Sequence, residues 1–302
     1  MKKKILITGA NGFIGRRVMD DLCADDTYSV VGCSLHDDLC PQSSRHLFAT
    51  IDITDRQALR SIFEETHPDI VINTAALSAI DYCETHREEA DAVNTLAVKH
   101  MAELCAQQGS RFIHLSTDYV FGGNSQRLYT EEDLPAPVNY YGMSKWRSEQ
   151  YVQALCSDYA IARIVVVYGK PLPGQHGNIV DLVAQRLKDK ETIRVVSDQW
   201  RTPTYVGDVS TGIGRLTTHN ASGIYHICGN ECLTIADVAR RTAKVLELDS
   251  TLILSVNTHE MGEKTPRPSY SGLDIGKARR ELGYCPHTLD DGIRLSTSGC
   301  RQ

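Results

Sequence analysis

Gly9, Gly12 and Gly15 lie between a short apolar run, residues 4–8, and a helically spaced segment carrying Ile14, Val18 and Leu22. This junction limits the chain's folding options more than any other feature. The run before it suits a strand buried in a parallel sheet, because consecutive positions are apolar and glycine ends them. Glycines three apart permit a tight turn, a close approach of backbone to pyrophosphate, and close packing of helix on strand. The spacing differs from the commoner G-x-G-x-x-G. The physics is the same, since backbone N–H groups at a helix N-terminus receive an anion. A dinucleotide loop is therefore expected here, formed by Gly9, Asn11, Gly12, Phe13, Ile14 and Gly15.

The same alternation continues down the chain. Strands are predicted over 29–33, 47–51, 69–73, 111–115 and 161–167. Helices are predicted through Leu59, Ile62 and Phe63, over 88–108 and over 140–156. Strands alternating with helices give an α/β fold, a doubly wound parallel sheet of Rossmann type. Right-handed crossovers bring all the strand C-terminal ends to one edge, where ligands bind in such sheets. Thr8, Asn73, Ser116, Thr117 and Tyr168 all fall at predicted strand ends on that edge. Past residue 170 the elements shorten and Pro171, Pro173, Gly174 and Gly177 form a loop. The expectation is a dinucleotide-binding domain over 1–170 and a smaller α/β substrate lobe over 171–302. That boundary is soft, because such chains cross between lobes.

Composition excludes several classes. The 302 residues are 41% hydrophobic and 23% charged, as in globular proteins of one large or two unequal domains. A net charge of −6 provides no basic field for nucleic acid. No apolar run is long enough to span a membrane, and the N-terminus lacks the apolar core of a signal peptide. The ten cysteines are scattered without a C-x-x-C pair or a completed zinc set. They are read as reduced, the location as cytoplasmic, and no metal is expected.

Tyr141 and Lys145 are four residues apart, which on a helix places them on one face. A phenol keeps its proton to about pH 10, and an ammonium beside it stabilises the phenolate. The pair can then trade protons near neutrality. Ser116 and Thr117 supply hydroxyls just upstream. After the third strand, Asp52 and Ile53 sit where an adenine edge is hydrogen-bonded. After the fourth, Ala75 and Ala76 are small where backbone must approach the cofactor. The second strand has no acid at its tip, Asp37 and Asp38 come late, and Arg16, Arg17 and Arg45 offer cations to a 2′-phosphate. NADP(H) is favoured over NAD(H) on this ground.

These residues resemble a known family. Thr8–Gly15, Asn73-Thr74-Ala75-Ala76, Ser116-Thr117-Asp118-Tyr119-Val120-Phe121 and Tyr141-Gly142-Met143-Ser144-Lys145 are similar to the extended short-chain dehydrogenase/reductases. The Asp-Tyr-Val-Phe continuation, Asp198–Thr204 and Arg267-Pro268 resemble their dTDP-4-dehydrorhamnose reductase branch. The resemblance covers nearly the whole chain. It implies Tyr141 as the acid that protonates a carbonyl oxygen. Lys145 would lower the Tyr141 pKa and hold the nicotinamide ribose, and Thr117 would hydrogen-bond the substrate oxygen, with Ser116 as fallback. Asn94 would support a lysine-linked water network. Ser116, Asp118, Gln199, Arg201 and Arg267 are the expected substrate contacts, the arginines suiting a diphosphate. The implied activity is NAD(P)H-dependent reduction of a nucleotide-linked 4-keto-sugar, dTDP-4-dehydrorhamnose first. An epimerase or dehydratase with tightly held NAD is one alternative. A regulatory subunit like that of methionine adenosyltransferase is another. A homodimer is left open.

Overall fold

The computed structural model describes residues 2–40, 46–175, 177–218 and 221–297. Strand β1 (Lys3–Thr8) runs from exposed lysines into four buried residues and stops at Gly9. Helix α1 (Phe13–Cys23) follows, then β2 (Tyr28–Ser34), β3 (Leu47–Thr50), α2 (Arg56–Thr66) and β4 (Ile70–Asn73). Helix α2 starts where the Asp55 carboxylate accepts the Gln57 and Ala58 N–H groups, an N-cap on the first turn. Next come α3 (Ile80–Thr85), α4 (Arg87–Asp91), α5 (Ala97–Gln108), β5 (Arg111–Thr117), α6 (Tyr140–Leu155), β6 (Tyr159–Ile164) and β7 (Val167–Tyr168). The C-terminal part contains α7 (Ile179–Lys188), β8 (Ile193–Val196), β9 (Trp200–Arg201), β10 (Thr204–Tyr205), α8 (Val206–Thr218) and β11 (Gly223–His226). It ends with β12 (Leu233–Thr234), α9 (Ile235–Val245), β13 (Ile253–Val256), α10 (Thr258–Met261), α11 (Gly276–Leu282) and α12 (Leu289–Thr297).

Seven strands form one parallel sheet in the order β11-β6-β5-β4-β1-β2-β3. Strand order reverses between β1 and β4, so the crevice there opens at the carboxyl edge. Every residue of β5 is buried, as expected of a central strand covered on both faces. Val18, Met19 and Leu22 of α1 and Val209, Ile213 and Leu216 of α8 cover one face. Leu59, Ile62 and Phe63 of α2, Val98 and Met101 of α5 and Val152 of α6 cover the other.

Two features differ from the pattern read in sequence. Helix 88–108 is interrupted by a π-helical turn, Ala92–Leu96, which carries the buried Asn94 and Thr95. Strand 161–167 breaks after Ile164, because Val166 takes φ +34° and its carbonyl accepts the Thr204 N–H at 3.2 Å. A β-branched residue at positive φ is strained, and the sequence Ile-Val-Val-Val carries no turn signal for it. The segment beyond 171 is the one whose boundary is read as soft. It returns to the sheet with α8 and β11, and β11 pairs with β6. Outside the sheet, α7, α9 and β8 pack around Val183, Leu187, Val195, Ala236 and Ala239. No described helix is long and apolar enough to cross a membrane.

Candidate active site

A cleft of about 560 Å³ lies along the carboxyl edge of the sheet, within the range of small-molecule sites. The glycine loop forms one end of it. A Cβ on Gly9 would sit 2.6 Å from the Ala75 nitrogen, and one on Gly15 would sit 2.2 Å from the Gly9 carbonyl oxygen. The turn therefore brings β1, α1 and β4 together at distances that only glycine permits. Gly12 is the N-cap of α1 and contributes no side chain, and the first turn carries no acid. The helix end thus keeps N–H groups and positive dipole for an anion, which fits a pyrophosphate. Phe13, Ile14, Thr74 and Ala76 also line this end. Ala75 contributes backbone against Gly9, while Asp52 and Ile53 follow β3 outside the cleft lining.

Asn11 lines the cleft and also ties the glycine loop to the segment after β2. Its Nδ2 donates to the carbonyls of His36 (3.0 Å) and Asp37 (2.9 Å), and its Oδ1 accepts the Leu39 N–H (3.1 Å). The basic residues expected to await a 2′-phosphate are already engaged. Arg16 pairs with Asp38 at 2.7 Å and Asp20 at 2.9 Å, and Arg17 pairs with Asp21 at 2.8 Å. Arg45 lies outside the described residues.

Helix α6 builds the other end. The Asn139 Oδ1 accepts the Gly142 N–H at 2.9 Å and caps it. A Cβ on Gly142 would come within 2.1 Å of the Tyr119 carbonyl oxygen. The glycine between Tyr141 and Lys145 is thus what lets α6 seat against the turn after β5. Tyr141 faces the cleft, edge-on to Tyr119 with centroids 5.7 Å apart. Burial raises the Tyr141 pKa, and a hydrogen bond with Thr117 opposes that rise. Lys145 is buried one turn on, and its Nζ donates to the Leu115 carbonyl at 2.7 Å. Burial pushes its ammonium down from 10.5 to about 8, with Glu149 opposing. Thr117 ends β5, where its Oγ1 accepts the Tyr119 N–H and lies 3.2 Å from Asp118 Oδ1. Ser116 beside it is buried and lines the cleft, and its hydroxyl makes no hydrogen bond among the described residues.

Thr117, Tyr141 and Lys145 are thus brought together at one end and the glycine loop at the other. Gln199, Arg201 and Arg267 do not line this cleft. Arg201 is buried with Asp118, Nε to Oδ2 at 3.4 Å, and donates to the carbonyls of Trp200 and Pro268, both at 2.8 Å. A desolvated guanidinium needs such partners. Asp118 lines the cleft, yet its carboxylate is committed to Arg201 and Ser271, and burial raises its pKa against the arginine's pull. Gln199 Nε2 donates to Glu263 at 2.7 Å and Thr258 at 3.1 Å. Arg267 bridges Asp81 at 3.2 Å and Glu263 at 3.3 Å. Asn94 sits on the π-helical turn. Its amide bonds both backbone groups of Leu77 at 2.9 Å and the Ser144 hydroxyl at 3.1 Å.

Sequence reasoning missed Ser78, Ile80, Gln175 and Asn178, which also line the cleft. Gln175 Nε2 donates to the Asn11 carbonyl at 2.9 Å and folds the proline–glycine loop over the glycine turn. Its one sequence signal was that loop's position after a strand C-terminus.

Such a sheet, with a glycine turn at one end of its cleft and a Tyr–Lys helix at the other, defines a dinucleotide-binding protein equipped for proton transfer. The chain belongs to the RmlD substrate binding domain family, whose match extends over residues 2–298. It is 33% identical to the dTDP-4-keto-6-deoxy-D-glucose reductase of Streptomyces niveus, over 95% of this chain and 93% of that one. It is 32% identical to the spore coat polysaccharide biosynthesis protein SpsK of Bacillus subtilis, over 96% and 95%. Among solved structures, dTDP-4-dehydrorhamnose reductase from Bacillus anthracis in complex with NADP superimposes with a TM-score of 0.87. The two share 29% identity, over 98% of this chain and 99% of that one.

Proposed function

We propose that this protein reduces the keto group of a nucleotide-linked 4-keto-sugar at the expense of NADP(H), with dTDP-4-dehydrorhamnose as the favoured substrate and dTDP-rhamnose as its product. The observation that carries this is the meeting of Tyr141, Thr117 and Lys145 at the end of the cleft opposite the glycine loop. Relatives that act on dTDP-keto-sugars, and a neighbour that holds NADP, support the same reading. The cofactor, when bound, supplies the hydride.

The residues divide the remaining work. The end of α1 and the glycine turn receive the pyrophosphate. Tyr141 delivers its phenolic proton to the carbonyl oxygen, and Thr117 steadies that oxygen by a hydrogen bond. The Lys145 ammonium stabilises the phenolate left behind. A phenol whose pKa is raised by burial keeps its proton until the carbonyl needs it. Ser116, buried and without a hydrogen-bond partner among the described residues, offers its hydroxyl to the same ligands. An intact Tyr–Thr–Lys set favours turnover over a purely regulatory subunit.

The test is NADPH oxidation in the presence of dTDP-4-dehydrorhamnose. Turnover is expected with the native chain and near-complete loss with Tyr141→Phe. No turnover on any nucleotide keto-sugar would overturn the reading. Purification with a stoichiometric, non-exchanging NAD would replace it with an epimerase or dehydratase.

A further inference from the structure

His114 is fully buried on β5, next to the Leu115 whose carbonyl holds the Lys145 ammonium. Three groups surround its ring. Asn73 of β4 meets Nδ1 at 3.1 Å, Ser148 of α6 meets Nε2 at 2.9 Å, and Lys145 Nζ lies 3.3 Å from the same Nε2.

The protons on this ring follow from the two ends of its hydrogen-bond chain. At one end, a single atom of the Asn73 amide faces both the Ala75 N–H (3.1 Å) and the Thr8 hydroxyl (2.6 Å). A backbone N–H only donates, so that atom is the amide oxygen and the NH₂ faces His114. Nδ1 must then accept and carries no proton. At the other end, the Ser148 hydroxyl spends its one proton on the Lys145 carbonyl at 2.6 Å. Towards His114 that oxygen then accepts, in keeping with a proton on Nε2. Both ends suit the same neutral tautomer, and the Asn73 end fixes it. Burial, and the lysine beside the ring, hold its pKa well below the usual histidine range.

We propose that His114 is a positioning residue for Lys145: locked as the Nε2–H tautomer by Asn73 and Ser148, it presents a donor rather than an acceptor to the lysine, and so leaves the two ammonium protons not taken by Leu115 for the cleft. An imidazole with a free Nε2 lone pair would capture one of them and draw Nζ back under β5. The chain starts at Thr8, which ends β1 at the glycine turn, so it joins both ends of the cleft through Asn73. The other ionisable groups around the pair are Tyr141 and Glu149 of α6 and Arg163 of β6. Arg163 engages both Glu149 oxygens, at 2.9 and 2.6 Å. β4 contributes only the neutral Asn73. The use of the freed protons, to hold ribose hydroxyls of the cofactor, rests on the proposed reductase reading, whereas the tautomer does not.

The experiment is ¹⁵N NMR of ring-labelled histidine in the full-length protein, with the His114 signals assigned through His114→Gln. The expected spectrum shows a protonated Nε2, a bare Nδ1 and no titration near pH 6.5. A protonated Nδ1, or a ring that charges near pH 6.5, would overturn the proposal. Asn73→Asp extends the test, because a carboxylate at that place demands a proton on Nδ1 and frees Nε2 to accept. In that variant the Lys145 amine, followed through its ¹³Cε resonance, is expected to titrate about one unit above its native value. NADPH is expected to bind several-fold more weakly. A flipped tautomer with both quantities unchanged would also overturn the proposal. If Asn73→Asp does not fold, the native spectrum still decides. Neither NMR readout depends on turnover, so failure of the reductase reading would be seen separately.

Discussion

The two halves of the cleft are made of different materials. The nucleotide half is shaped by backbone and by missing side chains, with Gly9 and Gly15 seated where a Cβ would meet a neighbouring main chain. Behind the Tyr141 end, and outside the lining apart from Asp118, charged side chains pair with one another, Arg201 with Asp118 and Arg267 with Asp81 and Glu263. A steric requirement is local, so it can be met by one residue type at one spacing. An electrostatic requirement is met by whichever partner the fold brings, and that partner can come from anywhere in the chain. The Tyr141–Lys145 helix, at the end opposite the glycine loop, draws on both kinds of constraint. Gly142 seats it sterically, and burial sets the charge behaviour of its lysine.

Substitutions can break or sharpen this contrast. The largest effect is expected at the junction. Tyr141→Phe removes the proton donor and should lower kcat by about 10²- to 10⁴-fold in stopped assays, while NADPH binding by fluorescence is retained. Next come the two arginines, which the contrast separates. Arg201→Ala leaves the Asp118 carboxylate buried without its partner and should cost about 3–5 kcal/mol in urea unfolding. Arg267→Ala, whose partner Asp81 is largely exposed, should cost no more than about 1 kcal/mol. Equal losses would place the two arginines in one class and remove the distinction.

In the nucleotide half, Gly15→Ala forces a methyl against the Gly9 carbonyl and should weaken NADPH binding or thermal stability by about 1–3 kcal/mol. The smallest effect is a pH slope. Native Lys145 loses its proton at about 8, whereas an unfolded lysine keeps it to the usual 10.5. Between those values the unfolded chain binds more protons, so stability should rise with pH, and below about 8 the contribution should be flat. Relative to Lys145→Met, the native chain should gain about 1 kcal/mol per pH unit in that window. A difference that falls there would reverse the sign of the burial effect.

The same contrast explains what was legible in the sequence. Strand-glycine-helix order, the alternation of elements and the Tyr–Lys spacing depend on neighbours within a few residues. They located the sheet edge and the glycine loop, and they picked out Tyr141 and Lys145, which line the cleft. The pairing of Arg201 with Asp118 was not legible, because the two are far apart in sequence and only the fold joins them. Val166 broke a run that read as a continuous strand, because its positive φ is imposed by tertiary packing rather than by turn chemistry. His114 went unnoticed inside an apolar strand pattern. Its role emerges only when Asn73 from β4 and Ser148 from α6 converge on one ring.

The most direct measurement follows deuterium. Incubation with nicotinamide-deuterated NADPH, in the transferable position, and dTDP-4-dehydrorhamnose should give a reduced sugar nucleotide with deuterium bound at carbon 4. Tyr141→Phe should bind the same cofactor and give almost none. No labelled product from folded, cofactor-binding native protein, or full labelling by Tyr141→Phe, would contradict the assignment of Tyr141 as proton donor in a keto-sugar reduction.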